Sequence, residues 1–205
     1  MKKKCMYIGT GIICSLCIIA GVYGYTLNAE SINNTEVDAV EKEGVLNEIG
    51  KYDKNNNIDE YDYLSDDSGV DVDNIRDKAE MISDIQPEMD ENEVYDNMLE
   101  YEMENKAFYL AAVDAGYTAS EEEIDDIINY IKDAIQGTEE EKYIKSYILG
   151  RGMREEEYWI SIRDLYKRNL IIKKYLEDNM NDTDDKEEFD KLKEENIERY
   201  NVHEE

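Results

Sequence analysis

Few residues in this chain have the types and spacing that catalysis or metal binding needs. Cys14 and Cys17 show the C-x-x-C spacing of redox and metal motifs. No thioredoxin-like strand and helix surround them. With Cys5 they fall in or beside an uncharged run from Cys5 to Ala29, where Cys serves as a small hydrophobe. Asp53-x-Asn55-x-Asn57 has the spacing that opens a calcium loop. The match then fails, because Ile58 stands where the loop needs Gly and Leu64 where it needs a bidentate Glu. The one histidine, His203, lies at the extreme C-terminus. There is no H-E-x-x-H and no Gly-rich phosphate loop. Carboxylates are so abundant, 52 Asp and Glu in 205 residues, that no one pair points to general acid–base work. The sequence therefore points to a non-catalytic protein with no metal and no cofactor, and its function is to be sought in binding.

Binding chemistry is better represented. There are 17 Tyr against 2 Phe, and 8 Met. Amphipathic Tyr rings and adaptable Met side chains suit contact with varied, unfolded segments. Met98, Met103, Tyr109, Tyr117, Tyr130, Tyr158 and Trp159 are the candidate client-binding residues. The competing reading, strongest for Trp159, is that they fill an ordinary core. Only 23 Lys and Arg oppose the carboxylates, a formal net charge of −29. That balance argues against nucleic acid, which needs a basic face. It favours solubility of a bound chain and attraction of basic clients.

These side chains need helices to position them. Val94, Met98, Tyr101, Ala107, Phe108, Ala111, Ala112 and Ala115 have helical spacing up to Gly116. Ser120 with Glu123 forms a capping box for a helix carrying Ile124, Ile127, Ile128, Ile131 and Ile135. Thr138 with Glu141 repeats the signal before Tyr143, Ile144, Tyr147, Ile148 and Leu149. From Glu155 the apolar residues Tyr158, Trp159, Ile162, Leu165, Tyr166, Leu170, Ile172, Tyr175 and Leu176 make one stripe. A single helix from Glu155 to Asn179 would be about 37 Å long, and its stripe needs other helices to cover it.

The turns between these helices resemble a known family. Ala115-Gly116-Tyr117-Thr118-Ala119-Ser120-Glu121-Glu122-Glu123-Ile124 is similar to a Gly-hydrophobic-x-(Ser/Thr) turn with an acidic helix start. That turn belongs to the SurA N-terminal-like helical domain, the chaperone part of the SurA, PrsA and trigger-factor-like foldases. Gly152-Met153-Arg154-Glu155-Glu156-Glu157-Tyr158-Trp159 resembles the same family's turn into its long helix, with Arg154 where Ser or Thr is commoner. The resemblance spans about Asn92 to Asn179 and implies a helical client-binding domain. The parvulin isomerase domains that often accompany such domains have no counterpart in the short stretch after Asn179.

The expected fold class is all-α, in four parts. Residues 1–29 comprise a Lys cluster and a transmembrane anchor or signal segment. Lys2, Lys3 and Lys4 before an uncharged run long enough to cross a bilayer place the N-terminus in the cytoplasm and the rest outside. A cleaved signal peptide is the alternative. Residues 30–88 read as a disordered acidic linker, with a possible short helix over Asp71 to Ile85. Residues 89–180 read as a bundle of about four to five helices with one long C-terminal-side helix. Residues 181–205 read as an acidic tail with a weak helix through Phe189, Leu192, Ile197 and Tyr200. The function this implies is a membrane-anchored, extracytoplasmic holdase for unfolded or newly exported polypeptide. The alternative is a tethered scaffold for one dedicated partner.

Overall fold

The computed structural model describes residues 39–55, 64–87, 89–181 and 185–205, with side chains from Glu43 onward. Among them are eight helices and one two-stranded pairing, an all-α architecture. The uncharged run 5–29 lies outside the described residues. Among the described residues, no helix is long and apolar enough to cross a membrane.

The axis of the molecule is α3, Glu91–Asp114, with 24 residues the longest helix described. Asp90 caps its start, accepting from the Asn92 and Glu93 amides at 3.0 and 3.1 Å. Gly116 ends the turn that follows it with φ +86°, a conformation that costs other residues a Cβ clash. Apolar side chains appear around much of its circumference because helices cover it on several sides. These are α2 (Val72–Ile85), α7 (Arg163–Asn179) and α8 (Lys186–Tyr200).

α4, Glu121–Ile135, follows the expected stripe. Ile124, Ile128, Ile131 and Ile135 are buried. Both capping-box bonds form: the Ser120 hydroxyl accepts from the Glu123 amide, and the Glu123 carboxylate accepts from the Ser120 amide. Lys174, 2.6 Å from Glu123, and the Ser120 bonds hold that carboxyl down at about 2. α5, Glu139–Arg151, starts differently from the sequence expectation. Glu141 accepts from Gly137, one residue earlier than the expected cap, and the Thr138 hydroxyl donates back to the Ile135 carbonyl.

The single long helix expected from Glu155 to Asn179 is two helices. α6, Glu155–Ser161, and α7 meet at Ile162, whose φ −93° and ψ 5° leave the helical well. The Ser161 hydroxyl donates to the Tyr158 carbonyl at 2.8 Å, a local bond that competes with the helical ladder and bends it. At the start of α6, Glu157 accepts from the Arg154 amide at 2.8 Å and from its guanidinium. Arginine has no acceptor, so only the glutamate half of a capping box is made.

The expected linker is helical over residues 39–55, and the helices expected over Asp71 to Ile85 and in the tail are both present. Residues 39–55, read as linker, form α1, Ala39–Asn55, which packs along α5. Val45, Leu46 and Ile49 enter the main core. Asp71 caps α2 by accepting from the Asn74 amide, and Ile75, Ala79, Met81 and Ile82 are buried. α8 is integral to the fold. Phe189 packs against Phe108 of α3 with ring centroids 5.1 Å apart and the rings tilted by 53°, Lys193 pairs with Glu100 at 2.8 Å, and Asn196 donates to the Tyr175 hydroxyl of α7. After α8, strand β2 (His203–Glu204) lies parallel to β1 (Gly69–Val70), with Gly69 opposite His203. Among the described residues, packing runs from α1 to β2.

Candidate polypeptide-binding surface

The seven nominated side chains do not converge on one groove. Met98, Tyr109, Tyr158 and Trp159 are buried. Met98 lies in the core between α3 and its neighbours, and Met103 is partly buried against the same core. The Tyr109 hydroxyl donates to the Leu64 carbonyl at 3.2 Å. Tyr117 is half-buried, set edge-on to Tyr175 with its hydroxyl donating to Asp178, which raises its pKa. Tyr158 sits between Tyr147 and Trp159, with centroids 6.1 and 5.1 Å away. Of the seven, only Tyr130 stands well out, 51% exposed.

A cleft of about 470 Å³ does open where α4 faces α6 and the start of α7. Its lining includes Asp125, Ile128, Lys132, Trp159, Ile160 and Arg163. Helical geometry explains the arrangement. Trp159 lies on the buried stripe of α6, so it forms part of the cleft wall and is only 5% exposed. Its indole N–H donates to Glu155 at 3.4 Å, and the Lys132 ammonium lies 4.9 Å from the ring centroid. Ile160 is the next residue, turned about 100° away, and is 67% exposed. Arg163 ties the cleft shut at one end, donating to Asp125 at 2.6 Å and to Glu121 at 2.7 Å.

Ile160, Leu149 and Val113 are large exposed apolar residues outside the nominated set. A signal for the first two was available. Ile160 falls off the stripe Tyr158, Trp159, Ile162, Leu165, and Leu149 falls off the stripe Ile144, Tyr147, Ile148. A large aliphatic off its helix's stripe faces water.

Two carboxyls raised by burial lie elsewhere. Burial pushes Glu104 up to about 7, against the pull of Lys193 and with help from Glu100 and Asp190, at the contact of α3 with α8. Burial also raises Asp53, which accepts from the Tyr147 hydroxyl at 2.6 Å. Asp53, the first residue of the calcium-loop-like stretch, is thus committed to the contact of α1 with α5. Among the described residues, no three His, Cys, Asp or Glu converge to hold a metal ion. Comparison with protein families, with curated proteins and with solved structures finds no match to this chain.

Proposed function

We propose that this protein is a membrane-anchored, extracytoplasmic binding module that holds unfolded or newly exported polypeptide and performs no catalysis. The observation that carries the reading is the cleft between α4 and α6, where exposed Ile160 adjoins the wall formed by Trp159. An apolar segment of a client covers Ile160, and the carboxylate-rich surface keeps the complex soluble. Lys2 to Lys4 and the uncharged run after them support the anchor. The family-like turns at Gly116 and Gly152 support a client-binding domain.

The burial of Met98, Tyr109, Tyr158 and Trp159 favours a second reading, a tethered scaffold for one dedicated partner. A closed core offers a small, fixed apolar surface instead of a broad adaptable one. A photocrosslinking side chain placed at Ile160 separates the two. The holdase reading expects adducts with many unrelated polypeptides. One stoichiometric adduct selects the scaffold, and an absence of adducts sinks the cleft as the binding surface.

A further inference from the structure

The cleft between α4 and α6 is charged as well as apolar, and its charges are unevenly engaged. Asp125, Glu155 and Glu156 line it, as do Lys132 and Arg163. Arg163 is committed to Asp125 and Glu121. Glu155 accepts from the Trp159 indole. Lys132 lies over the Trp159 ring. Glu156 is left over: among the described residues it has no hydrogen-bond or ion-pair partner. Arg154, which feels its charge, pairs with Glu157 instead, at 2.8 Å.

Glu156 and Ile160 are four residues apart on α6. They are therefore neighbours on one helix face, with Cβ atoms roughly 5–6 Å apart. Both line the cleft and both are exposed. α6 thus sets an uncovered aliphatic side chain one turn from an unpaired carboxylate. Lys132 shows how the neighbouring wall receives a cation: its ammonium rests against the face of an indole whose N–H is held by Glu155, an arrangement that attracts alkylammonium groups.

The charge of the chain selects the occupant. Two copies, each with a formal net charge of −29, repel one another. A single exposed isoleucine beside the cleft also falls far short of the about 800 Å² per partner that a stable dimer buries. A cationic segment meets neither obstacle.

We infer that the cleft docks a basic, apolar polypeptide segment, in which an aliphatic side chain covers Ile160 and a lysine or arginine about one helical turn away pairs with Glu156. The inference rests on the proposed client-binding function and names the class of segment bound. Ile160 supplies the grip. Glu156 supplies the selectivity, because an exposed ion pair adds little affinity while a like charge in its place repels.

Two fluorescein-labelled, alanine-based helical peptides test this on the full-length chain, with binding followed by anisotropy at low salt, where exposed pairs are least screened. One peptide carries leucine and lysine at i and i+4. The other carries leucine and glutamate. The wild type should favour the lysine peptide, and Glu156→Gln should shrink that preference by about threefold. Glu198→Gln is the control. It removes the same charge from an exposed position on α8, which packs on α3, and should leave the preference unchanged. Ile160→Ser should weaken both peptides by about tenfold. The substituted side chains are exposed, so the fold is retained. An equal loss of preference in Glu156→Gln and Glu198→Gln overturns the inference, because the field of the whole chain is then the cause. So does an undiminished preference in Glu156→Gln. Should Ile160→Ser weaken both peptides while Glu156→Gln changes nothing, the proposed function stands and the basic preference falls. Should neither peptide bind, both fall.

Discussion

Replacing Glu104 by Gln isolates one carboxyl whose burial opposes its ionisation. Glu104 projects from α3 toward Lys193 of α8, at 3.9 Å, with its side chain 24% exposed. The same ammonium sits 2.8 Å from Glu100 and 3.8 Å from Asp190, so three carboxylates share one cation. Burial is the largest influence and raises Glu104 from the ordinary 4.5 to about 7; Lys193 only partly offsets it. Because the folded value lies above the unfolded one, the contribution to stability is complete below pH 4.5 and is lost as pH rises to about 7. The gap between the two values converts to about 3 kcal/mol as an upper bound. Gln mimics the neutral acid. Urea unfolding of wild type and Glu104→Gln from pH 4.5 to 8 should therefore give matching stabilities at pH 4.5. The variant should gain steadily above that, by up to about 3 kcal/mol at pH 8. A difference that is flat across this range would refute the burial argument. A variant less stable than the wild type at pH 8 would show that the attraction to Lys193 outweighs desolvation.

Other substitutions check the packing. Trp159→Ala should cost about 3–5 kcal/mol in denaturant unfolding, as loss of a buried aromatic does; an unchanged melting temperature would place the indole on the surface. Glu102→Ala should destabilise by about 1–3 kcal/mol, since it removes one charged partner, at 3.2 Å, of Arg168, whose side chain is 3% exposed. Ser120→Ala should cost about 1 kcal/mol by removing one half of the capping box before α4, measured as the shift in urea midpoint at constant slope.

Local structure was legible where local signals decided it. Ser120 and Glu123 announced α4, the isoleucines fixed its buried face, and Gly116 marked the turn after α3. Signals failed where the deciding contact was distant or competed at short range. α1 lacks a sustained stripe and carries two glycines, so it read as linker. Its order comes from Gly150 and Ser146, about a hundred positions later, which let its backbone approach. The break at Ile162 was hidden because the apolar stripe runs straight through it, and only the Ser161 hydroxyl bond to Tyr158 gives the cause. Strands β1 and β2 are two residues each, too short for any periodicity. At the candidate surface, aromatic character misled. Tyr158 and Trp159 were nominated for chemistry that suits clients, yet both lie on the stripe that faces the core. The off-stripe Ile160 is the residue left in water.

The central claim is that an apolar surface on this protein holds unfolded chains. The fragment from Glu30 to Glu205, titrated into an unfolded, aggregating client and followed by light scattering at low and high salt, tests it most directly. The account predicts suppression of aggregation that survives high salt, since apolar contact is not screened. Suppression that vanishes in salt would assign the effect to the acidic surface alone, and no suppression in either condition would contradict the claim.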